Sequence, residues 1–200
     1  MNYFCNPVNV NYRYQFNDDQ RNKGIKVARE AADPSMIWFK GKYYIFASMT
    51  LGVWVSAALA VWKNPRLPES LPLYDYAPDV RVMGDYVYFC ASKRGENCSF
   101  YRTKDILEGP YEEIPGTFDF WDPNLFLDED GLLYFYWGCS NMTPVWGVEL
   151  DPETMHPLGE RIALIEGDAS TKGYVSAGED HTLVPRSEEE LEACYQGFLK

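Results

Sequence analysis

Three times along the chain, a short apolar run, a tight turn and a second, aromatic run follow one another. The stretches are "DPSMIWFKGKYYIFAS" from Asp33, "DVRVMGDYVYFCAS" from Asp79 and "DPNLFLDEDGLLYFYWG" from Asp122. Each turn holds a glycine: Gly41, Gly84 or Gly131. Aromatic and branched apolar runs on either side of a glycine turn predict antiparallel hairpins. Each second run ends in a small residue, Ser48, Ser92 or Gly138. A third apolar stretch follows each hairpin, "GVWVSAAL", "CSFYRTKD" and "PVWGVELD", and then turn-rich segments such as "LEGPYEEIPG".

The repeat is regular. Asp33 and Asp79 are 46 residues apart, and Asp79 and Asp122 are 43 apart. Units of about 40–50 residues built from short antiparallel strands predict the blades of a β-propeller. A β-sandwich would not require an Asp at the same place in every unit. The fold class is therefore all-β, with an incomplete propeller over 1–185 and blades near 30–65, 76–115 and 120–160, followed by a loop. The first strand of a blade lines the central channel, so Asp33, Asp79 and Asp122 are expected to converge on one axis. A single Asp before a strand would be read as a turn cap. Three in register weigh against that reading.

Helical periodicity appears only at the end. Ser187 and Glu190 have capping-box spacing. Leu191, Cys194, Tyr195, Phe198 and Leu199 then share one face, which predicts a helix over 186–200.

Composition narrows the function. Aromatics make up 16% of the chain, which favours sheet and also supplies flat faces for sugar rings. The net charge of −12 argues against nucleic acid and anionic membranes as partners. Cys5, Cys90, Cys98, Cys139 and Cys194 are scattered without a CxxC pair, so neither a zinc site nor a disulfide framework is indicated, and no metal or cofactor is expected. The N-terminal stretch has no apolar signal core. No segment approaches the roughly 20 apolar residues of a membrane span. The chain reads as a soluble cytoplasmic protein; a secreted protein stripped of its signal would read the same.

At this point the motifs resemble glycoside hydrolase family 43, the five-bladed propeller enzymes that act on arabinose- and xylose-containing plant polysaccharides. The resemblance rests on "AADPSMIWFKGKYYIFAS", "YDYAPDVRVMGDYVYFCAS" and "FWDPNLFLDEDGLLYFYWG", with the Asn-Pro start "CNPVNVNYRY", and runs over roughly residues 1–185. It implies hydrolysis with inversion. Asp33 of "ADPS" matches the general base, and Asp122 of "WDPN" matches the Asp that orients the acid and tunes its proton affinity. Asp79 of "APDV" takes a supporting, substrate-binding place at the rim of the second blade. An inverting glycosidase needs one carboxylate to deprotonate water and a carboxylic acid across the sugar, about 6.5–9.5 Å away, to protonate the leaving oxygen.

The resemblance places the general acid in a Glu-Gly motif that opens the fourth blade. The only "EGP", Glu108–Pro110, lies in the outer part of the second unit and reads as a turn. In "YVSAGEDHTLVP", Glu179 is the one stand-in candidate. The acid itself is expected to be missing, as in a truncated form that alone is inactive or weakly active.

Trp121 and Trp54 are candidate sugar platforms, and Arg94 of "SKRGEN" could approach the pocket carboxylates. Trp38, Trp62, Trp137 and Trp146 are expected to pack between blades. Three readings remain in play: an inverting α-L-arabinofuranosidase or β-xylosidase, a non-catalytic carbohydrate-binding propeller, and, on the open blade faces alone, a propeller scaffold for protein contacts. Either of the first two binds an oligo- or polysaccharide. Three blades also leave two blade faces uncovered, which suggests a homo-oligomer assembled through them.

Overall fold

The computed structural model describes residues 10, 15–19, 24–28, 31–48, 52–71, 77–93, 96–139, 143–166, 187–189 and 192. Strand β1 (Gln15–Asp19) pairs with β2 (Gly24–Ala28) in an antiparallel hairpin. Three sheets follow, each running in chain order. The first contains β3 (Ser35–Phe39), β4 (Lys42–Phe46) and β5 (Trp54–Ser56). The second contains β6 (Asp79–Met83), β7 (Tyr86–Cys90), β8 (Phe100–Thr103) and β9 (Glu112–Ile114). The third contains β10 (Asn124–Leu127), β11 (Leu133–Trp137), β12 (Val145–Leu150) and β13 (Ile162–Ile165). All pairings are antiparallel. These are three blades of a β-propeller, and β6 lies beside both β3 and β10, so the first strands gather at one place. At the outer edge of the first blade, two isolated bridges, Gly52 to Arg66 and Val55 to Lys63, stand in for a fourth strand. Helical conformation appears at Glu188, Glu189 and Glu192; the rest of the helix predicted over 186–200, apart from Ser187, lies outside the described residues.

The hairpin turns follow from backbone chemistry. In the first blade Phe39 pairs with Lys42 across a two-residue loop. Both loop residues, Lys40 (φ 43°) and Gly41 (φ 80°), are left-handed, as a tight turn matching strand twist requires.

Side-chain alternation divides the core. On β7, Val87 and Phe89 point into a cluster shared with Ile37, Phe39, Phe46 and Val80 of the first and second blades. Tyr88 and Cys90, one residue out of phase, join a cluster shared with Leu125, Phe135 and Trp137 of the third blade. The second blade is thus covered on both faces. On the far face of the first blade, Trp54 and Trp62 form a smaller cluster with Ala47. In the second cluster Phe135 lies 4.8 Å from Phe120 and 5.4 Å from Phe100, ring centre to ring centre, in edge-to-face geometry.

Trp137 is buried between the second and third blades, as expected; Trp62 is buried too, but against Trp54 and Ala47 of its own blade rather than between blades. Trp38 is not: it is 52% exposed, because the alternation of β3 sends Ile37 and Phe39 toward the second blade and turns Met36 and Trp38 away from it. Trp146 is also less enclosed than expected, half-buried with the Arg161 guanidinium 4.2 Å from its ring centre.

Phe135 has no exposed surface and touches three other aromatic rings besides Trp137. We expect Phe135→Ala to cost about 3–5 kcal/mol in chemical denaturation. Val61→Ala, at a 70% exposed site, should stay within about 0.5 kcal/mol.

Candidate functional site

Each blade begins at the same kind of corner. Asp33 (φ 51°), Ala77 (φ 52°) and Asp122 (φ 48°) are all left-handed, and each precedes a proline: Pro34, Pro78 and Pro123. The first strand starts immediately after that proline, at Ser35, Asp79 and Asn124. Left-handed backbone costs an L-residue roughly 1–2 kcal/mol, so the surroundings must hold it. They do so with matching hydrogen bonds. The Ser48 N–H donates to the Ala32 carbonyl and the Gly138 N–H to the Trp121 carbonyl, each at 2.8 Å. The Ala77 N–H donates to Ser48 Oγ at 2.8 Å, and the Asp122 N–H to Ser92 Oγ at 3.0 Å. A serine after the second strand of one blade therefore caps the corner of the next.

These corners correct the register of the repeat. Asp33 and Asp122 are equivalent, but the position between them is Ala77, 44 residues after Asp33 and 45 before Asp122. Asp79 lies two residues beyond the corner and is equivalent to Ser35 and Asn124. The sequence aligns the aspartates because it shows residue types. The corner is defined by backbone conformation, which no residue type announces when Ala occupies it.

Asp33, Asp79 and Asp122 nevertheless line one open cavity of about 490 Å³, with Ser35, Arg81 and Asn124 beside them. Asp33 and Asp122 are exposed there. Ser48 Oγ donates to Asp33 Oδ2 at 2.7 Å and so fixes that carboxylate. Asp79 differs. It is 6% exposed, and both of its oxygens accept from neighbouring blades: Oδ1 from Ser35 Oγ at 3.0 Å, Oδ2 from the Leu125 N–H at 2.6 Å. Asp79 lines the cavity, but both oxygens of its carboxylate are engaged at the joint between blades, because it begins the middle of three first strands.

The other predicted residues separate. Trp54 is 4% exposed and packed with Ala47 and Trp62, so it does not wall the cavity. The short β5 turns it into that cluster rather than toward the rim. Trp121 is half-buried next to Asp122, outside the set of described residues that line the cavity. Arg94 and Glu179 lie outside the described residues. Glu108 sits in a turn, its N–H on Asp105 Oδ1 at 3.1 Å, as the sequence indicates. Arg81 was missed. It lines the cavity, its Nε donates to the Leu125 carbonyl, and it stands 3.6 Å from Asp79 Oδ2. The available signal was its place two residues after Asp79 in "DVRVM", on the same side of the strand.

The sequence profile of the glycosyl hydrolases family 43 matches residues 26–182. The chain belongs to glycoside hydrolase family 43. Among solved structures, this family 43 chain is similar to an exo-1,5-α-L-arabinanase from a bovine ruminal metagenomic library, with 25% identity over 68% of this chain and 55% of that one and a TM-score of 0.53. It is also similar to a bifunctional GH43-CE protein of Bacteroides eggerthii (22% identity, 70% of this chain and 21% of that one, TM-score 0.56). A third is the native Bacillus subtilis arabinanase Arb43A (19% identity, 66% and 56%, TM-score 0.53). The chain thus spans 21% to 56% of the length of these three structures. Comparison with curated protein sequences gives no significant match.

Directly under the site, Cys90 Sγ faces the Asp79 carbonyl at 3.8 Å. Burial pushes the Cys90 thiol well up from its ordinary value, and the Asp79 charge adds to that. The neutral thiol therefore contributes stability in full below the unfolded-state value near 8.5, and that contribution is lost as pH rises from there toward the folded-state value. With a disulfide reagent at pH 8, exposed Cys139 should be modified in the native protein, and Cys90 and Cys98 only after denaturation. Peptide mapping checks this; rapid native labelling of Cys90 would contradict the burial.

Proposed function

We propose that this family 43 chain carries the water-activating half of an inverting glycosidase that acts on arabinose- or xylose-containing oligo- or polysaccharides. The observation that carries the reading is the pair of equivalent left-handed Asp-Pro corners, Asp33 and Asp122, exposed in one cavity. Strained corners held by dedicated hydrogen bonds are a recurrent device for aiming functional side chains. Similarity to an exo-1,5-α-L-arabinanase supports the arabinose side of the substrate class.

In this mechanism Asp33 is the general base. Ser48 holds Oδ2, and Oδ1 is assigned to the attacking water. That water gives its proton to Asp33 as its oxygen bonds to the anomeric carbon from the face opposite the leaving group. The glycosidic oxygen leaves with a proton from a carboxylic acid across the sugar. Asp122 is assigned to the acid's side of the cavity, where a neighbouring negative charge favours the protonated acid before reaction. Among the described residues that line the cavity there is no glutamate. Glu179 is the candidate this chain offers, and a glutamate from another segment is the alternative.

In the full-length protein, Asp33→Asn should lower turnover of a natural arabino- or xylo-oligosaccharide by about 10²–10⁴-fold, while calorimetry shows oligosaccharide binding within a few-fold of wild type. The amide still accepts from Ser48 but takes no proton from water. Near-normal turnover of an aryl glycoside by this variant would remove Asp33 as the base. Binding without turnover by the wild type would favour a carbohydrate-binding propeller instead.

A further inference from the structure

Asp79 is a charged side chain with little exposure at the meeting point of three blades, and the hydrolytic mechanism gives it no step. Its two carboxylate oxygens reach in different directions. Oδ1 takes the Ser35 hydroxyl of β3, two residues past Asp33. Oδ2 takes the Leu125 N–H of β10, three residues past Asp122. Ser35 Oγ in turn accepts the Val80 N–H at 3.2 Å, which closes the joint between β3 and β6 from both sides. Arg81 closes the other joint by donating to the Leu125 carbonyl. One carboxylate, with Arg81, therefore ties the strand that carries Asp33 to the strand that carries Asp122.

From this geometry we infer that Asp79 is a positioning residue: it sets the separation of Asp33 and Asp122 across the cavity and does not itself contact the sugar. The function it serves rests on the glycosidase reading; the geometric claim does not. A carboxylate is suited to the task because it only accepts, and both partners only need an acceptor. Charge-assisted bonds of this kind are short and directional. The repeat offers a check within the molecule. Ser35 and Asn124, the equivalents of Asp79, are neutral and belong to the flanking blades. The charge is placed only at the middle strand, where donors arrive from both sides.

The test uses Asp79→Asn in the full-length protein, with two readouts. The amide turns one acceptor into a donor that faces a donor. The first readout is the split of kinetic constants on an oligosaccharide well below the melting temperature. A misplacement near 1 Å costs on the order of 100-fold, so kcat should fall by about that much with KM within a few-fold. The second is the distance distribution between spin labels on an Asp33→Cys, Asp122→Cys pair, with Cys5, Cys139 and Cys194 replaced by serine so that only the pair is labelled, by continuous-wave electron paramagnetic resonance. It should broaden or shift when Asp79→Asn is added. Ser35→Ala, which removes one donor and leaves the charge, should give a smaller change of the same kind and serves if Asp79→Asn does not fold. An unchanged distribution overturns the inference, whether kcat falls or not: a fall alone would mean that Asp79 acts on the sugar directly. If the wild type hydrolyses no glycoside, the glycosidase reading fails and the spin-label distances still decide the positioning role.

Discussion

Face-to-face packing of twisted sheets is the constraint on which the rest depends. A blade is a small antiparallel sheet with two faces, and apolar side chains alternate between them. In the second blade, Val87 and Phe89 of β7 go to one neighbour while Tyr88 and Cys90 go to the other. This forces three first strands to lie side by side at one end. Only then do two Asp-Pro corners, 89 residues apart in sequence, open on one cavity. The site is a by-product of packing that the aromatic core maintains.

Among the described residues, the blades on either side of the second also carry exposed apolar side chains: Met36 and Trp38 on the first blade, and Phe126, Ile162, Leu164 and Ile165 on the third.

Polar groups at the axis complement the apolar packing. Serine hydroxyls cap left-handed corners across blade boundaries, and the Asp79 carboxylate spans two boundaries. Buried polar groups of this kind are costly unless every partner is present. That makes them specific: their hydrogen bonds are satisfied in one mutual placement of the blades.

The sequence by itself determined the blades, because strand alternation and glycine turns are local: Gly41, Gly84 and Gly131 mark hairpins that the structure contains. It also determined the family, since "ADPS" and "WDPN" are chemically distinctive, and it brought Asp33 and Asp122 forward as candidates. The tertiary structure decided what depends on neighbours. Ala77 takes the corner that Asp79 was expected to hold, because a left-handed backbone is stabilised by a hydroxyl from the preceding blade, a partner 29 residues away. The Asp79 carboxylate joins blades because donors from two other blades reach it. Trp54 is buried because the segment after β5 brings Trp62 of its own blade against it, and Trp38 is exposed because β3 turns it away from the second blade; an alternating pattern reads the same from either side.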